Sequence, residues 1–182
     1  VCSSDLLTMG VAWHRFLAPF NIFFQRNPDK RPSLGAVPEM LSHGKPINFE
    51  DPSEDDVFGI GKSADISWKG LLDMASCTEC GRCQSQCPAW HTDKPLSPKL
   101  LIMAMRDHAL QKTVSDIPMS EVISPEILWS CTSCGACVQE CPVDIEHVDH
   151  IMNMRRFQVL VESEFPTELG NTFRNQIGRA HV

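Results

Sequence analysis

Apolar residues recur at helical spacing in most of the patterned stretches of this chain. Between Ser97-Pro98 and Lys112, Leu100, Leu101, Ala104, Met105 and Ala109 fall on one face. The Ser-Pro pair supplies a cap and then a proline suited to the first helical position, so a helix is predicted over 99–112. Ser124-Pro125 repeats that start signal ahead of a short helix over 126–130, and Ser67 caps another over 68–75. Val148, Ile151, Met152 and Val159 share a face on a longer predicted helix over 146–164. Residues 113–123 read as a loop. No run of alternating β-branched residues appears, so the fold is predicted to be mainly α.

Upstream the pattern changes. Residues 7–24 are apolar and aromatic, interrupted by His14, Arg15, Pro19 and Asn21 and followed by Arg26, Lys30 and Arg31. Two readings of 7–26 stand side by side: the end of a membrane helix with the basic flank typical of the cytoplasmic side, or a short amphipathic segment packed on the domain. On the first, His14 is a candidate haem ligand; on the second it is an interfacial residue. Over 27–66, Pro28, Pro32, Pro38, Pro46 and Pro52 with Gly35, Gly44, Gly59 and Gly61 defeat any long element, which predicts an irregular linker. Glu50, Asp51, Glu54, Asp55 and Asp56 read as solvated linker surface, with docking of a basic electron-transfer partner as the sharper alternative. Residues 1–6 and 177–182 can be encoded by one DNA word read on opposite strands, the pattern of a sequencing adapter. Both ends, with Cys2 and His181, are therefore set aside from fold reasoning.

A length of 182 residues with 42% hydrophobic positions suits one domain with appendages. The net charge of −7, without a basic stripe, argues against nucleic-acid binding. No G-x-G-x-x-G or P-loop pattern supports nicotinamide or nucleotide binding. Eight of the nine cysteines lie in two tight clusters, which points to metal ligation.

Cys77-Thr-Glu-Cys80-Gly-Arg-Cys83-Gln-Ser-Gln-Cys87-Pro88 and Cys131-Thr-Ser-Cys134-Gly-Ala-Cys137-Val-Gln-Glu-Cys141-Pro142 are the same C-x2-C-x2-C-x3-C-P run at a constant offset. Structural zinc takes four ligands, usually as two separated C-x2-C pairs. Two consecutive x2 spacings, then x3 and a trailing C-P, instead match the bacterial ferredoxin run for 4Fe-4S clusters, whose fourth cysteine serves the other cluster. Crossed ligation follows: Cys77, Cys80, Cys83 and Cys141 for one cluster, Cys131, Cys134, Cys137 and Cys87 for the other. Gly81 and Gly135 are expected to let the backbone approach the clusters. A helix between the runs points to an α-helical ferredoxin over 67–173, its core supplemented by the clusters.

Thr78 to Trp90, Lys94-Pro95-Leu96-Ser97-Pro98-Lys99-Leu100 and Leu128 to Cys137 resemble the iron–sulfur region of heterodisulfide-reductase-related oxidoreductases, especially the membrane-fused actinobacterial type. The resemblance implies a cytochrome-b-like membrane part upstream and a cysteine-rich catalytic part downstream, exchange with a redox partner protein or the quinone pool, and a place on the cytoplasmic face of the membrane. The paired Cys-Cys-Gly of the catalytic repeats is absent, so no substrate-converting site is implied. Looser relatives, the iron–sulfur subunits of soluble 2-hydroxy-acid and glycerol-3-phosphate dehydrogenase complexes, give the alternative. Within an electron relay, Arg82 and Lys94 near the first cluster either raise its potential relative to the second or simply face solvent. Two further classes compete with the relay: a structural cluster or zinc module in a nucleic-acid enzyme, and a stand-alone catalytic enzyme with a metal site on Glu146, His147, Asp149 and His150. Residues 147 and 150 share a helical face, for which a solvated surface is the plainer expectation.

Overall fold

In the computed structural model, residues 13–26, 34–42, 44–110 and 117–179 are described. Cys2, Lys30, Arg31 and His181 lie outside them. The first helix, α1 (His14–Phe23), carries Pro19 and lies against α2 (Trp68–Ser76). Its one buried residue is Asn21, whose Nδ2–H donates to Asp73 Oδ1 at 2.9 Å and to the Val143 carbonyl at 2.8 Å. The opposite face is left outside, with Phe16, Phe20 and Phe23 exposed. No described helix is long and apolar enough to cross a membrane.

The capping signals mark real helix starts. Ser67 Oγ accepts from the Gly70 N–H at 3.1 Å to open α2. After α3 (Arg82–Ser85) and α4 (Pro88–His91), Ser97 Oγ accepts from the Leu100 N–H at 3.3 Å at the head of α5 (Pro98–Leu110). Part of the expected loop folds as α6 (Met119–Val122). Pro125 opens α7 (Pro125–Trp129), here without a side-chain cap from Ser124. The second cysteine run holds α8 (Ala136–Gln139), and the chain then enters α9 (His147–Phe157).

The long helix expected over 146–164 changes character at Phe157. It widens into a π-helical turn, Gln158–Glu162, and stops at Ser163 with φ 54°. Gln158 is buried there and accepts the Trp129 indole N–H at 3.1 Å. A further helix, α10 (Thr167–Arg179), follows.

The core joins Met74 of α2, Leu101, Ile102 and Met105 of α5, Leu128 of α7 and Ile151 and Met154 of α9 around Cys87 and Cys141. Leu100, expected in that core, is 54% exposed. The Pro/Gly-rich segment is more than a tether. It forms a two-residue hairpin, β1 (Leu41–Ser42) with β2 (Lys45–Pro46), and then packs on α9. Ile60 N–H donates to the Asn153 carbonyl at 3.1 Å, and a Cβ on Gly59 would sit 2.2 Å from that same carbonyl oxygen. Arg156 reaches the Pro38 carbonyl at 2.7 Å. The acidic residues Glu50, Asp51, Glu54 and Asp55 stay on the surface.

Candidate metal centre

The two cysteine runs have the same backbone. Two residues after the first cysteine, Glu79 and Ser133 are left-handed at φ 55° and 54°. Gly81 and Gly135, both at φ 79° and ψ 0°, then turn the chain into α3 and α8. A residue with a Cβ pays a steric cost in that region, which is why glycine recurs. Among protein atoms, nothing lies within 4 Å of a Cβ built on Gly81, and Gly135 faces the Leu34 side chain at 3.0 Å. The turn aims amide hydrogens at sulfur. Ser133 N–H donates to Cys131 Sγ at 3.3 Å, with the equivalent bond from Glu79 to Cys77, and Ile145 N–H donates to Cys141 Sγ at 3.4 Å.

Folding brings the runs together across the repeat. Cys77, Cys80 and Cys83 line one cavity with Cys141 of the other run, and Lys99 and His147 complete part of its wall. Cys87 of the first run lies within electrostatic reach of Cys131 and Cys137. All eight thiols are free; Cys83, Cys87, Cys137 and Cys141 are buried, Cys77 and Cys131 half-buried, Cys80 and Cys134 exposed. Burial first, and then the neighbouring thiols, push Cys83 up to about 11, and Cys137 is raised further by the same causes. Cys83 and Cys137 therefore resist ionising without positive charge among the thiols, and iron supplies it. No three described His, Cys, Asp or Glu side chains converge closely enough to hold a single metal ion. A soft, all-thiol set with amide hydrogens aimed at the sulfurs, wrapped around a shared cavity, fits a multi-iron cluster.

The residues around the cysteines depart from expectation. Arg82 and Lys94 are exposed, and Lys94 borders a separate cleft with Trp129 and Ser130. The cation beside the second run is Arg155 of α9. It donates to the Leu128 carbonyl at 2.6 and 3.1 Å and to the Cys131 carbonyl at 2.6 Å, and lies 4.8 Å from the centre of the Trp129 ring. Its counterpart beside Cys77 is Arg106, bound to Glu79 at 2.7 Å and Asp107 at 3.0 Å.

His147 and His150 are buried rather than solvated, at 1% and 5% exposure. His147 Nδ1 is 2.9 Å from the Ile145 carbonyl, and burial pushes its imidazole down to about 4. His150 Nε2 lies 3.0 Å from Asp73 Oδ2, while Lys69 Nζ donates to Asp73 Oδ1 at 2.6 Å. Burial raises the Asp73 carboxyl, but His150 and Lys69 outweigh it and hold the group below its ordinary value. Glu146 accepts the Arg26 amide at 2.7 Å and Asp149 pairs with the Arg26 guanidinium at 2.9 Å. The residues that spacing offered as a separate metal site are thus a set of structural ties from α9. Nothing in the sequence spacing marked Arg155 or Asp73, because both matter through partners distant along the chain.

Comparison with known proteins agrees with this geometry. Residues 76–145 match the family described as "4Fe-4S dicluster domain". An "EtfAB:quinone oxidoreductase" of Syntrophomonas wolfei is 32% identical over 90% of this chain and 25% of its own length. A "Probable membrane-anchored ferredoxin" of Chromohalobacter salexigens is 32% identical over 94% of the chain and 30% of its own length. One subunit of a "Ferredoxin:CoB-CoM heterodisulfide reductase" of Methanosarcina mazei is 33% identical over 48% of each protein. The chain spans about a quarter to a third of the length of the first two relatives. No solved structure gives a significant match. The chain is homologous to these iron–sulfur proteins, it is an electron-transfer module of α-helical ferredoxin type, and its cofactors are two 4Fe-4S clusters.

Proposed function

We propose, on the premise that residues 76–145 are a 4Fe-4S dicluster domain, that this chain relays single electrons inside a larger membrane-associated oxidoreductase. Cys77, Cys80, Cys83 and Cys141 hold one cluster, and Cys131, Cys134, Cys137 and Cys87 hold the other. The observation that carries the assignment is Cys141, which lines the cavity of the opposite run's three cysteines. The clusters supply one-electron chemistry. The protein's own part is to fix the thiols, to direct the Ser133 and Ile145 amides at sulfur, and to keep Cys83, Cys87, Cys137 and Cys141 out of water. Substrate conversion belongs to a cysteine-rich part downstream, and the electron path continues through a cytochrome-b-like membrane part upstream to a redox partner or the quinone pool.

The membrane part of the proposal rests on α1. Phe16, Phe20 and Phe23 are 61%, 59% and 79% exposed, and Phe24 stacks edge-on against exposed Trp68 at 5.1 Å. A continuous aromatic surface of this kind is an interaction site, and one of the relatives is named membrane-anchored. The basic residues Arg26, Lys30 and Arg31 after it favour the cytoplasmic side.

The test is a set of four serine variants of the anaerobically prepared chain, read by EPR of the reduced protein. Wild type carries about eight irons. Cys141→Ser and Cys80→Ser alter the same signal, and Cys87→Ser and Cys134→Ser alter the other. If Cys141→Ser instead alters the signal of Cys134→Ser, each run holds its own cluster and crossed ligation is wrong.

A further inference from the structure

We infer that Arg155 sets the direction of the relay: it holds the cluster on Cys131, Cys134, Cys137 and Cys87 at a higher reduction potential than its partner. The inference rests on the crossed ligation proposed above. Reduction adds negative charge to a cluster, so a fixed positive charge nearby stabilises the reduced form and raises the potential. Arg155 meets the two requirements for such an effect.

It is fixed. Three hydrogen bonds to the Leu128 and Cys131 carbonyls hold the guanidinium against the backbone of the first ligand of the second run. The Trp129 ring covers it at 4.8 Å, and a further contact reaches Met152 Sδ at 3.9 Å. It also keeps its charge. Its described partners are carbonyls, a ring and a thioether, none of which is an anion, so no carboxylate cancels the field that reaches the cluster.

The first run is furnished differently. Arg106 faces Cys77 as Arg155 faces Cys131, but two carboxylates, Glu79 and Asp107, grip it at 2.7 and 3.0 Å and offset part of its charge. Lys99 lines the first cavity too and is half-buried like Arg155, but no hydrogen bond or ion pair among the described residues fixes its ammonium, which stays free to swing on its stem. Arg82 and Lys94, the cations that the sequence offered for raising the first cluster's potential, are exposed, the solvent-facing alternative of that reading.

The test is a redox titration of the full chain with its clusters assembled, followed by EPR. Cys134→Ser, which changes an exposed thiol, identifies the signal of the Cys131 cluster. In wild type that signal appears at the higher potential. Arg155→Gln lowers its midpoint and leaves the other cluster where it was, Arg155→Lys lowers it less, and Arg106→Gln and Lys99→Gln move the Cys77 cluster by a smaller amount. A wild type in which the Cys77 cluster is reduced first overturns the inference, as does an Arg155→Gln that moves neither midpoint or both alike. Should Arg155→Gln fail to keep its iron, the wild-type order decides. Iron analysis separates the two levels: fewer than two clusters in wild type defeats the relay itself, whereas full iron with the wrong order defeats only the role of Arg155.

Discussion

The short helices that lead into the two cysteine runs are both tied to α9, by opposite means. On the first side α2 ends at Cys77, and its Asp73 is held by His150 of α9 with Lys69 and Asn21 completing the set. On the second side α7 ends just before Cys131, and Arg155 of α9 grips the Leu128 and Cys131 carbonyls. One tie is a buried carboxylate among donors; the other is a guanidinium among carbonyls. The loops themselves match to within a degree in φ at Glu79/Ser133 and Gly81/Gly135. A duplicated run thus keeps the geometry that binds a cluster, while the contacts around each copy are free to diverge. That divergence lets two chemically identical clusters differ in potential.

The comparison breaks altogether if the clusters are removed. Cys87 and Cys141 lie in the principal core and Cys83 and Cys137 in the smaller one, and under the proposed crossed ligation each cluster joins both runs. Chelating the iron anaerobically is expected to unfold both halves together, because metal binding supplies folding free energy to such domains. Far-UV circular dichroism and amide exchange over 67–157 check this. Survival of either half with native protection would show that the halves fold independently of the metal.

Asp73→Asn separates the two ties. Removing the carboxylate leaves Lys69 without its buried counter-charge and His150 without the carboxylate it bonds, a change that costs about 3 kcal/mol. The loss falls on α2 and α1, with the second run untouched. The pH dependence has a definite sign. Asp73 sits below its ordinary 3.8 in the folded protein, so its contribution is complete above that value and fades as the pH falls below it. The stability gap between wild type and Asp73→Asn is therefore flat from neutrality down to about pH 4 and narrows only below. Urea titrations at several pH values measure it; a gap that closes already at pH 6 would mean that Asp73 is not the anionic partner.

The repeat, the helical class and most helix starts were legible because they depend on local chemistry. Ser67, Ser97 and Pro125 act within one turn, and C-x2-C-x2-C encodes a loop. What escaped depends on distant partners. His147 and His150 looked like a solvated pair because helical spacing gives the face and not what covers it; α1 and α2 cover His150 through Asn21 and Asp73. The segment over 27–66 looked like a bare tether because its docking uses backbone groups, such as Ile60 N–H on Asn153, that no side-chain pattern displays. The π-helical turn after Phe157 likewise coincides with long-range bonds, Trp129 to Gln158 and Ser120 to Glu162.

The smallest expected effect is the most direct test of how alike the two runs are. Gly81→Ala and Gly135→Ala both force a Cβ into φ 79°, at a cost of about 1–2 kcal/mol each. If conformation were all that mattered, the two losses would be equal. Among protein atoms, the new methyl group at Gly81 meets nothing within 4 Å, whereas at Gly135 it meets Leu34 Cγ and Cδ2 at 3.0 Å. Leu34 packs on the small cluster of Cys83, Cys137 and Val148, so it has limited room to retreat. Gly135→Ala should therefore cost more than Gly81→Ala by a few tenths to about 1 kcal/mol. A double-mutant cycle isolates the excess: in a Leu34→Ala background it should vanish at Gly135 and be unchanged at Gly81. Equal losses in wild type would mean that Leu34 yields freely, and an excess that persists without Leu34 would place the asymmetry in the loop itself.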